Sequence, residues 1–227
     1  MKPRTLLLPL LSTAMTMAGI MLPIADGRAA PPGGQVWTPY TSIERADHIG
    51  RFAHTNTKIF VPTGGMDNLH PPSGGEGPEI APGPSYFYET PASLGCIYGL
   101  TSMSSTSCNP TDSKLPNPSG GAKAIAIVDA FHYPTAMSDM QTFSEQFFGL
   151  LPAPNFQVVY ASGTQPNADS GWGLEAALDI QWAYAMAPRA KIYLVEAASN
   201  SFADLLTAVN VASNLVAAAG GGEVSMS

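Results

Sequence analysis

From Ala122 onward, short apolar runs rich in β-branched residues alternate with longer segments whose apolar positions recur at helical spacing. The short runs predict buried strands at 124–129, 156–160, 191–196 and 223–227. The longer segments predict helices at 134–148, 171–188 and 202–219. Such alternation is typical of an α/β fold, in which a parallel sheet carries helices on both faces.

Residues 31–90 follow a different pattern, because runs such as PPGG and PPSGGEGPE break both helices and central strands. We predict a Pro/Gly-rich linker or a reduced pro-segment here, with a short strand at 58–61. A short helix is expected next. Thr90 can cap its start, Pro91 suits its first position and Gly99 stands just past its end.

Residues 1–30 have the features of a secretory signal peptide. Lys2 and Arg4 supply positive charge, residues 6–24 are mostly apolar, and Gly27-Arg28-Ala29 offers a cleavage site of small residues. The alternative is an N-terminal membrane anchor, which the polar interruptions of the apolar stretch disfavour. We therefore expect an exported protein, secreted or periplasmic, with no stable membrane insertion after cleavage.

The helix predicted at 171–188 carries the most distinctive candidate chemistry. Its Glu175 and Asp179 stand four residues apart among Ala, Leu, Ile, Trp and Met side chains. Residues at this spacing share one helix face, and two close carboxyls in an apolar site cannot both ionise easily. Since no Lys or Arg occurs between Lys123 and Arg189, one carboxyl would keep a proton and could act as a general acid or base at low pH.

A simpler interpretation is that Glu175 and Asp179 are two solvent-facing acids on an amphipathic helix. The nearly apolar composition of the helix weakens this interpretation, because such helices are usually buried. Asp169 or Ser170 could cap the helix. Ligands of parallel sheets bind beyond the carboxyl ends of the strands, and the start of this helix is expected at that edge.

These residues resemble the catalytic helix of the sedolisin family, the serine-carboxyl peptidases with a subtilisin-like fold. The resemblance rests on Glu and Asp at this spacing, with Gly-Trp before them, Ala-Pro after them and then a strand. It extends over residues 91–227, which begin with a stretch similar to TPxxLxxxYG. The matching stretches are AIAIVDAFHYPTAMSDMQTFSEQF, AKIYLVEAASNSFADLLTAV and GGGEVSMS.

The resemblance implies a secreted serine-type endopeptidase that acts on protein or peptide substrates at acidic pH. Glu175 would be the general base and acid, and Asp179 would be the carboxyl hydrogen-bonded to it. Residues 91–227 would form the N-terminal part of the catalytic domain, with a subtilisin-like sheet that is incomplete at the C-terminus.

The sequence also departs from the family pattern. Residues 31–90 are few for the family's folded prodomain, and no serine stands in the GTSxxxP-like context of the nucleophile. The family's calcium site would lie beyond Ser227, so we expect no cofactor in this chain. Ser225 and Ser227 fall in a predicted strand and are not taken as nucleophiles. We therefore expect a chain truncated before its nucleophile, with no peptidase activity of its own.

Other polar residues are weaker candidates. Asp129 is interpreted as a strand-end turn or polar contact, because the HGTH motif of Ser-His-Asp subtilisins is absent. His132 is interpreted as an isolated surface residue. Glu196 could line a substrate cleft or be structural. The glycines at 220–222 follow a predicted helix, which favours a helix cap and turn over a phosphate loop.

Composition narrows the range of partners. The net charge of −7 argues against nucleic acid, whose binding needs clustered Lys and Arg. Cys96 and Cys108 suggest a disulfide in an exported protein, with two free thiols as the alternative. We expect no metal site, because no His or further Cys lies near the cysteines in sequence. The alternative function is a non-catalytic exported α/β module that holds peptides in a strand-end cleft.

Overall fold

The computed structural model describes residues 34–62, 91–100, 120–148 and 154–227. Strands β1 (Gly34–Trp37) and β2 (Ile59–Pro62) form an antiparallel pair, and a short 3₁₀ turn at Tyr40–Ser42 lies between them in sequence. Helix α1 (Pro91–Ile97) follows and ends before Gly99, as predicted. Strand β2 begins one residue after the start of the strand predicted at 58–61. Its partner β1 was not predicted.

The main sheet contains β3 (Ala124–Ala130), β4 (Phe156–Tyr160), β5 (Lys191–Ala197) and β6 (Gly222–Met226). Its strands are parallel and lie in the order β4-β5-β3-β6. The predicted bounds agree with these strands to within one residue. Strand β3 is central, and its register places Asp129 beside Glu196 of β5.

Helices cover both faces of this sheet. They are α2 (Ala136–Phe148), α3 (Ser170–Met186) and α4 (Phe202–Ala218). Because side chains alternate along a strand, Ala126 and Val128 of β3 pack in a core with α4, whereas Ile127 packs in a second core with α2 and α3. The predicted α/β fold with a parallel sheet and helices on both faces is confirmed.

Local signals in the sequence set where α4 begins and ends. The Ser201 hydroxyl accepts a hydrogen bond from the Asp204 N–H at 3.1 Å and caps the helix. Gly222 has a φ of +140°, and a Cβ there would lie 1.9 Å from the Ala124 carbonyl oxygen. Only glycine fits this turn. The prediction that the glycines at 220–222 end a helix and turn into a strand is therefore confirmed.

Several sequence predictions lie outside the described residues. These are the signal peptide at 1–30 and the disulfide, since Cys108 and the side chain of Cys96 are not among them. Within the described ranges, no helix is both long enough and apolar enough to cross a membrane.

Candidate active site

Helix α3 is held in place by its cap and by one buried face. The Asp169 carboxylate accepts hydrogen bonds from the N–H groups of Gly171 and Trp172 at 3.0 and 3.1 Å, which satisfies donors that the first turn leaves unpaired. Ile180 and Tyr184 are buried against the sheet. The first turns of α3 follow the loop after β4, so they lie at the carboxyl edge of the sheet.

Helix α3 is buried on one side only, although its nearly apolar composition favoured burial. Leu174 is 39% exposed and Leu178 is 48% exposed, so one side of the helix faces outward. Glu175 and Asp179 lie at the margin between the two sides and are partly buried. They are therefore neither core residues nor freely solvated acids.

One stripe of α3 carries Gly171, Glu175 and Asp179, which are spaced by four residues and so lie above one another on the same face. A hydroxyl-bearing side chain contacts each turn of this stripe. A Cβ on Gly171 would lie 2.2 Å from Thr41 Oγ1. The hydroxyl of Thr57 donates a hydrogen bond to Glu175 Oε2, and the hydroxyl of Ser227 donates one to Asp179 Oδ2.

The two acids are not hydrogen-bonded to each other in the described structure, although the sedolisin resemblance implies such a bond. They interact through charge instead. Burial raises the pKa of Asp179 above its ordinary value, the Ser227 hydroxyl opposes this, and the nearby Glu175 charge adds to the increase. The net effect favours a protonated Asp179.

Asp129 is the site residue that the sequence interpretation missed. It lies within β3 and is 1% exposed, and neither carboxyl oxygen has a hydrogen-bond partner in the described structure. The interpretation of Asp129 as a polar contact is therefore wrong. Burial raises the pKa of Asp129 well above its usual range, and the charges of Asp179, Glu175 and Glu196 add to this. The sequence feature that could have indicated this burial is an acid inside an otherwise apolar strand.

A buried pair lies beside Asp129. The Nδ1 atom of His132 is 2.7 Å from Glu196 Oε2, and the Tyr133 N–H donates to Glu196 Oε1 at 2.9 Å. The His132 side chain is only 13% exposed, so its interpretation as an isolated surface residue is wrong. Burial raises the pKa of Glu196, while the Tyr133 N–H and His132 oppose the increase. These contacts favour the structural interpretation of Glu196.

A cavity of about 390 Å³ opens between the N-terminal part of the chain and the carboxyl edge of the sheet. Phe131, Trp172 and Asn200 are among its walls, whereas the two acids of the α3 stripe are not. Phe131 has a φ of 66°, a left-handed conformation that is costly for a bulky residue and often marks a functional site. The volume lies in the range of small-ligand sites.

The described residues include no group of three or more His, Cys, Asp and Glu side chains placed to hold a metal ion. No protein-family model, curated protein or solved structure matches this chain. The sedolisin resemblance therefore rests on the residues alone, and the roles that it implies for Glu175 and Asp179 stay predictions.

Proposed function

We propose that this chain carries the acid pair of a serine-carboxyl endopeptidase of the sedolisin type, which acts on protein or peptide substrates at acidic pH. The observation that supports this most directly is the stripe on α3. Glu175 and Asp179 lie one turn apart at the carboxyl edge of the sheet, partly buried and each bonded to a hydroxyl. Burial raises the pKa of Asp179, so this carboxyl binds a proton more readily than a solvated one.

The two carboxyls would divide the work of proton transfer. Glu175 accepts the proton of the attacking serine hydroxyl and returns it to the leaving amine. The raised pKa of Asp179 favours its protonated form. A neutral Asp179 lets Glu175 carry the single negative charge of the pair without repulsion from a like charge. Burial likewise favours the neutral form of Asp129, which then adds no further negative charge beside the pair.

The nucleophile is the part of the reaction that these residues do not supply. None of the serines of this sequence stands in a GTSxxxP-like context. Ser227 contacts Asp179, but it is Glu175 that would serve as the base, so the two do not form a nucleophile–base pair. Because nucleophile and base act as a unit, we propose that the acid pair alone does not cleave peptides.

A second function is favoured by the cavity at the sheet edge. A non-catalytic exported module could hold a peptide side chain against Phe131 and Trp172 without using the acid pair. In that case the acids of α3 would have no effect on binding.

Peptide binding by the purified chain separates the two functions. Fluorescence anisotropy of a labelled unstructured peptide is measured at pH 4 and pH 7 with the wild type, Glu175→Gln and Asp179→Asn. Glu145→Gln is the matched control, because Glu145 is exposed on α2. For the endopeptidase site we expect about a tenfold loss of affinity in Glu175→Gln at pH 4, since the base must lie within hydrogen-bond reach of the bound peptide. Asp179→Asn should change the affinity less at this pH, because its neutral amide resembles the protonated Asp179.

Equal affinity in all four proteins would reject the acid pair and favour the binding module. Cleavage of an acid-denatured protein by the purified chain is followed in parallel by mass spectrometry. Cleavage that disappears in Glu175→Gln would confirm the base and overturn the expectation that the nucleophile is absent.

We propose an exported location for the protein, on the evidence of residues 1–30. Cell fractionation and N-terminal sequencing test this. A mature chain that begins near Ala29 or Ala30 in the periplasm or medium is expected, and a cytoplasmic chain that begins at Met1 would contradict it.

A further inference from the structure

We infer that residues 40–58, called here the N-terminal segment, are a built-in part of the candidate site, and that Thr57 is a positioning residue for Glu175. The inference rests on the proposed function for the role of Glu175. The contact itself, from the Thr57 hydroxyl to Glu175 Oε2, joins positions 118 residues apart in sequence. Such a contact requires that the N-terminal segment be held firmly against the α/β unit.

The first anchor of the segment is at the start of α4. Ala53 and Asn200 exchange two hydrogen bonds, from the Ala53 N–H to the Asn200 carbonyl at 2.8 Å and from Asn200 Nδ2 to the Ala53 carbonyl at 2.7 Å. The Phe202 N–H donates to the Arg51 carbonyl at 3.0 Å. The chain at 51–53 is thereby fixed along the carboxyl edge of the sheet.

The second anchor is a cluster of hydroxyls around Thr55, which is 2% exposed. The Thr55 N–H donates to the Thr41 carbonyl at 2.9 Å, and its Oγ1 donates to Thr41 Oγ1 at 3.0 Å. Ser42 Oγ lies 2.6 Å from Thr55 Oγ1. These contacts tie the two ends of the segment together two residues before Thr57, and strand β2 begins two residues after it.

The third anchor is the first turn of α3 itself. Thr41 occupies the space that a side chain at Gly171 would fill, and the Tyr40 hydroxyl donates to the capping carboxylate of Asp169. That bond raises the pKa of Tyr40 to about 12, which keeps the phenol a donor at all working pH values. The segment is therefore docked on the same stripe of α3 that carries Glu175.

This docking gives Thr57 a defined task. Its β-branched side chain has few χ1 rotamers, so a fixed backbone also fixes the hydroxyl. By donating to Oε2, the hydroxyl restrains rotation of the Glu175 carboxyl and leaves Oε1 without a hydrogen bond among the described residues. In the proposed reaction Oε1 would then be the atom that accepts and returns the proton. A hydrogen bond from a neutral donor to a charged acceptor is of the stronger kind.

Thr57→Val tests the positioning, because valine has nearly the shape of threonine but no hydroxyl. Thr57→Ser restores the hydroxyl, and Thr207→Val is the matched control, since the exposed Thr207 bonds only a carbonyl of its own helix. The carboxyl ¹³C resonance of Glu175, identified by its absence in Glu175→Gln, is compared at one fixed pH. Carbodiimide labelling of Glu175 is measured on the same proteins by peptide mapping.

We expect Thr57→Val to shift the Glu175 resonance and to increase its labelling about tenfold, as for the loss of one hydrogen bond to a charged group. Thr57→Ser and Thr207→Val should match the wild type in both measurements, and all should retain the wild-type melting temperature within a few degrees. If Thr57→Val is misfolded, Thr57→Ala takes its place.

An unchanged Glu175 resonance and labelling rate in folded Thr57→Val would overturn the inference. So would a shift that Thr57→Ser does not rescue, because that would indicate a packing effect. These measurements need neither peptide nor activity. If the proposed function is wrong, Glu175→Gln should bind the peptide with wild-type affinity. Thr57→Val would in that case still shift the Glu175 resonance and increase its labelling.

Discussion

Single residues at the carboxyl edge of the sheet differ sharply in how their charge is accommodated. Asp129 is buried without a hydrogen-bond partner in the described structure, so it favours the neutral form. Glu196 is equally buried but is bonded to His132 and to the Tyr133 N–H. Glu175 and Asp179 are partly buried and accept from hydroxyls. Because these environments differ, mutation of each residue should have a different effect on stability.

The buried His132–Glu196 pair predicts a large effect of removing the histidine. In His132→Ala, Glu196 keeps only the Tyr133 N–H and becomes a buried acid without its partner. We expect a loss of about 3 kcal/mol in the free energy of unfolding, measured by urea denaturation at pH 7. The control is His48→Ala, which removes a contact 3.9 Å from Asp47 and a ring contact with Phe52, and which should cost about 1 kcal/mol.

Similar losses in the two histidine variants would contradict the buried pairing. Addition of Glu196→Gln to His132→Ala should recover part of the loss, since a neutral amide is less costly to bury than a carboxylate.

At the scale of elements, α3 is the helix on which the other parts of the site converge. Its cap residue accepts a hydrogen bond from Tyr40, and its first turn packs against Thr41. Its second turn carries Glu175, and its third carries Asp179. The close approach of the N-terminal segment is possible because residue 171 is glycine.

Two glycines of α3 make a matched pair for this packing. A Cβ in Gly171→Ala would lie 2.2 Å from Thr41 Oγ1, so we expect the N-terminal segment to be displaced at a cost of about 1–3 kcal/mol. A Cβ in Gly173→Ala would lie 3.4 Å from the Tyr133 ring, which is ordinary contact, and its better helix propensity should stabilise the fold by up to about 1 kcal/mol.

The measurement is limited proteolysis of residues 40–58 together with thermal unfolding. Gly171→Ala should be cleaved faster in this segment than the wild type, and Gly173→Ala should not. Equal protection in both variants would mean that the segment does not depend on its contact with α3.

At the scale of the whole molecule, the chain carries a net negative charge and several of its buried carboxyls have raised pKa values. The net charge is −7, and the pKa values of Asp129, Asp179 and Glu196 are all raised, chiefly by burial. A raised carboxyl pKa means that the folded state binds protons more tightly than the unfolded state. The stability that this contributes is fully present below the unfolded pKa and is lost as the pH rises through the folded pKa.

We therefore predict that the protein is more stable in acid than at neutral pH. Above about pH 4, each such carboxyl should lower the free energy of unfolding by about 1.4 kcal/mol per pH unit until its folded pKa is reached. Asp129→Asn removes one of them with little change of shape and should flatten the decline. The free energy of unfolding is measured by urea denaturation from pH 3 to pH 8 in the wild type, in Asp129→Asn and in the control Glu145→Gln, whose substituted residue is exposed.

A stability maximum near neutral pH in the wild type would contradict this prediction. A decline that Asp129→Asn leaves unchanged would show that other groups are responsible.

The sequence by itself determined the elements of the α/β unit, because strand and helix signals are local. Apolar period, the cap at Asp169 and the glycines at 220–222 act over a few residues, and they located every strand of the main sheet. The spacing of Glu175 and Asp179 was equally local. The β1–β2 pair escaped prediction because β1 begins within a stretch rich in Pro and Gly.

Only the tertiary structure decided what surrounds the acids. His132 and Glu196 are 64 positions apart, and Thr57 and Glu175 are 118 apart. No periodicity or motif relates residues at such distances, since their contact depends on how the strands are ordered and on where the N-terminal segment docks. The burial of Asp129, and with it the preference for a neutral carboxyl, likewise arises from the helices that cover the sheet, not from its neighbours in sequence.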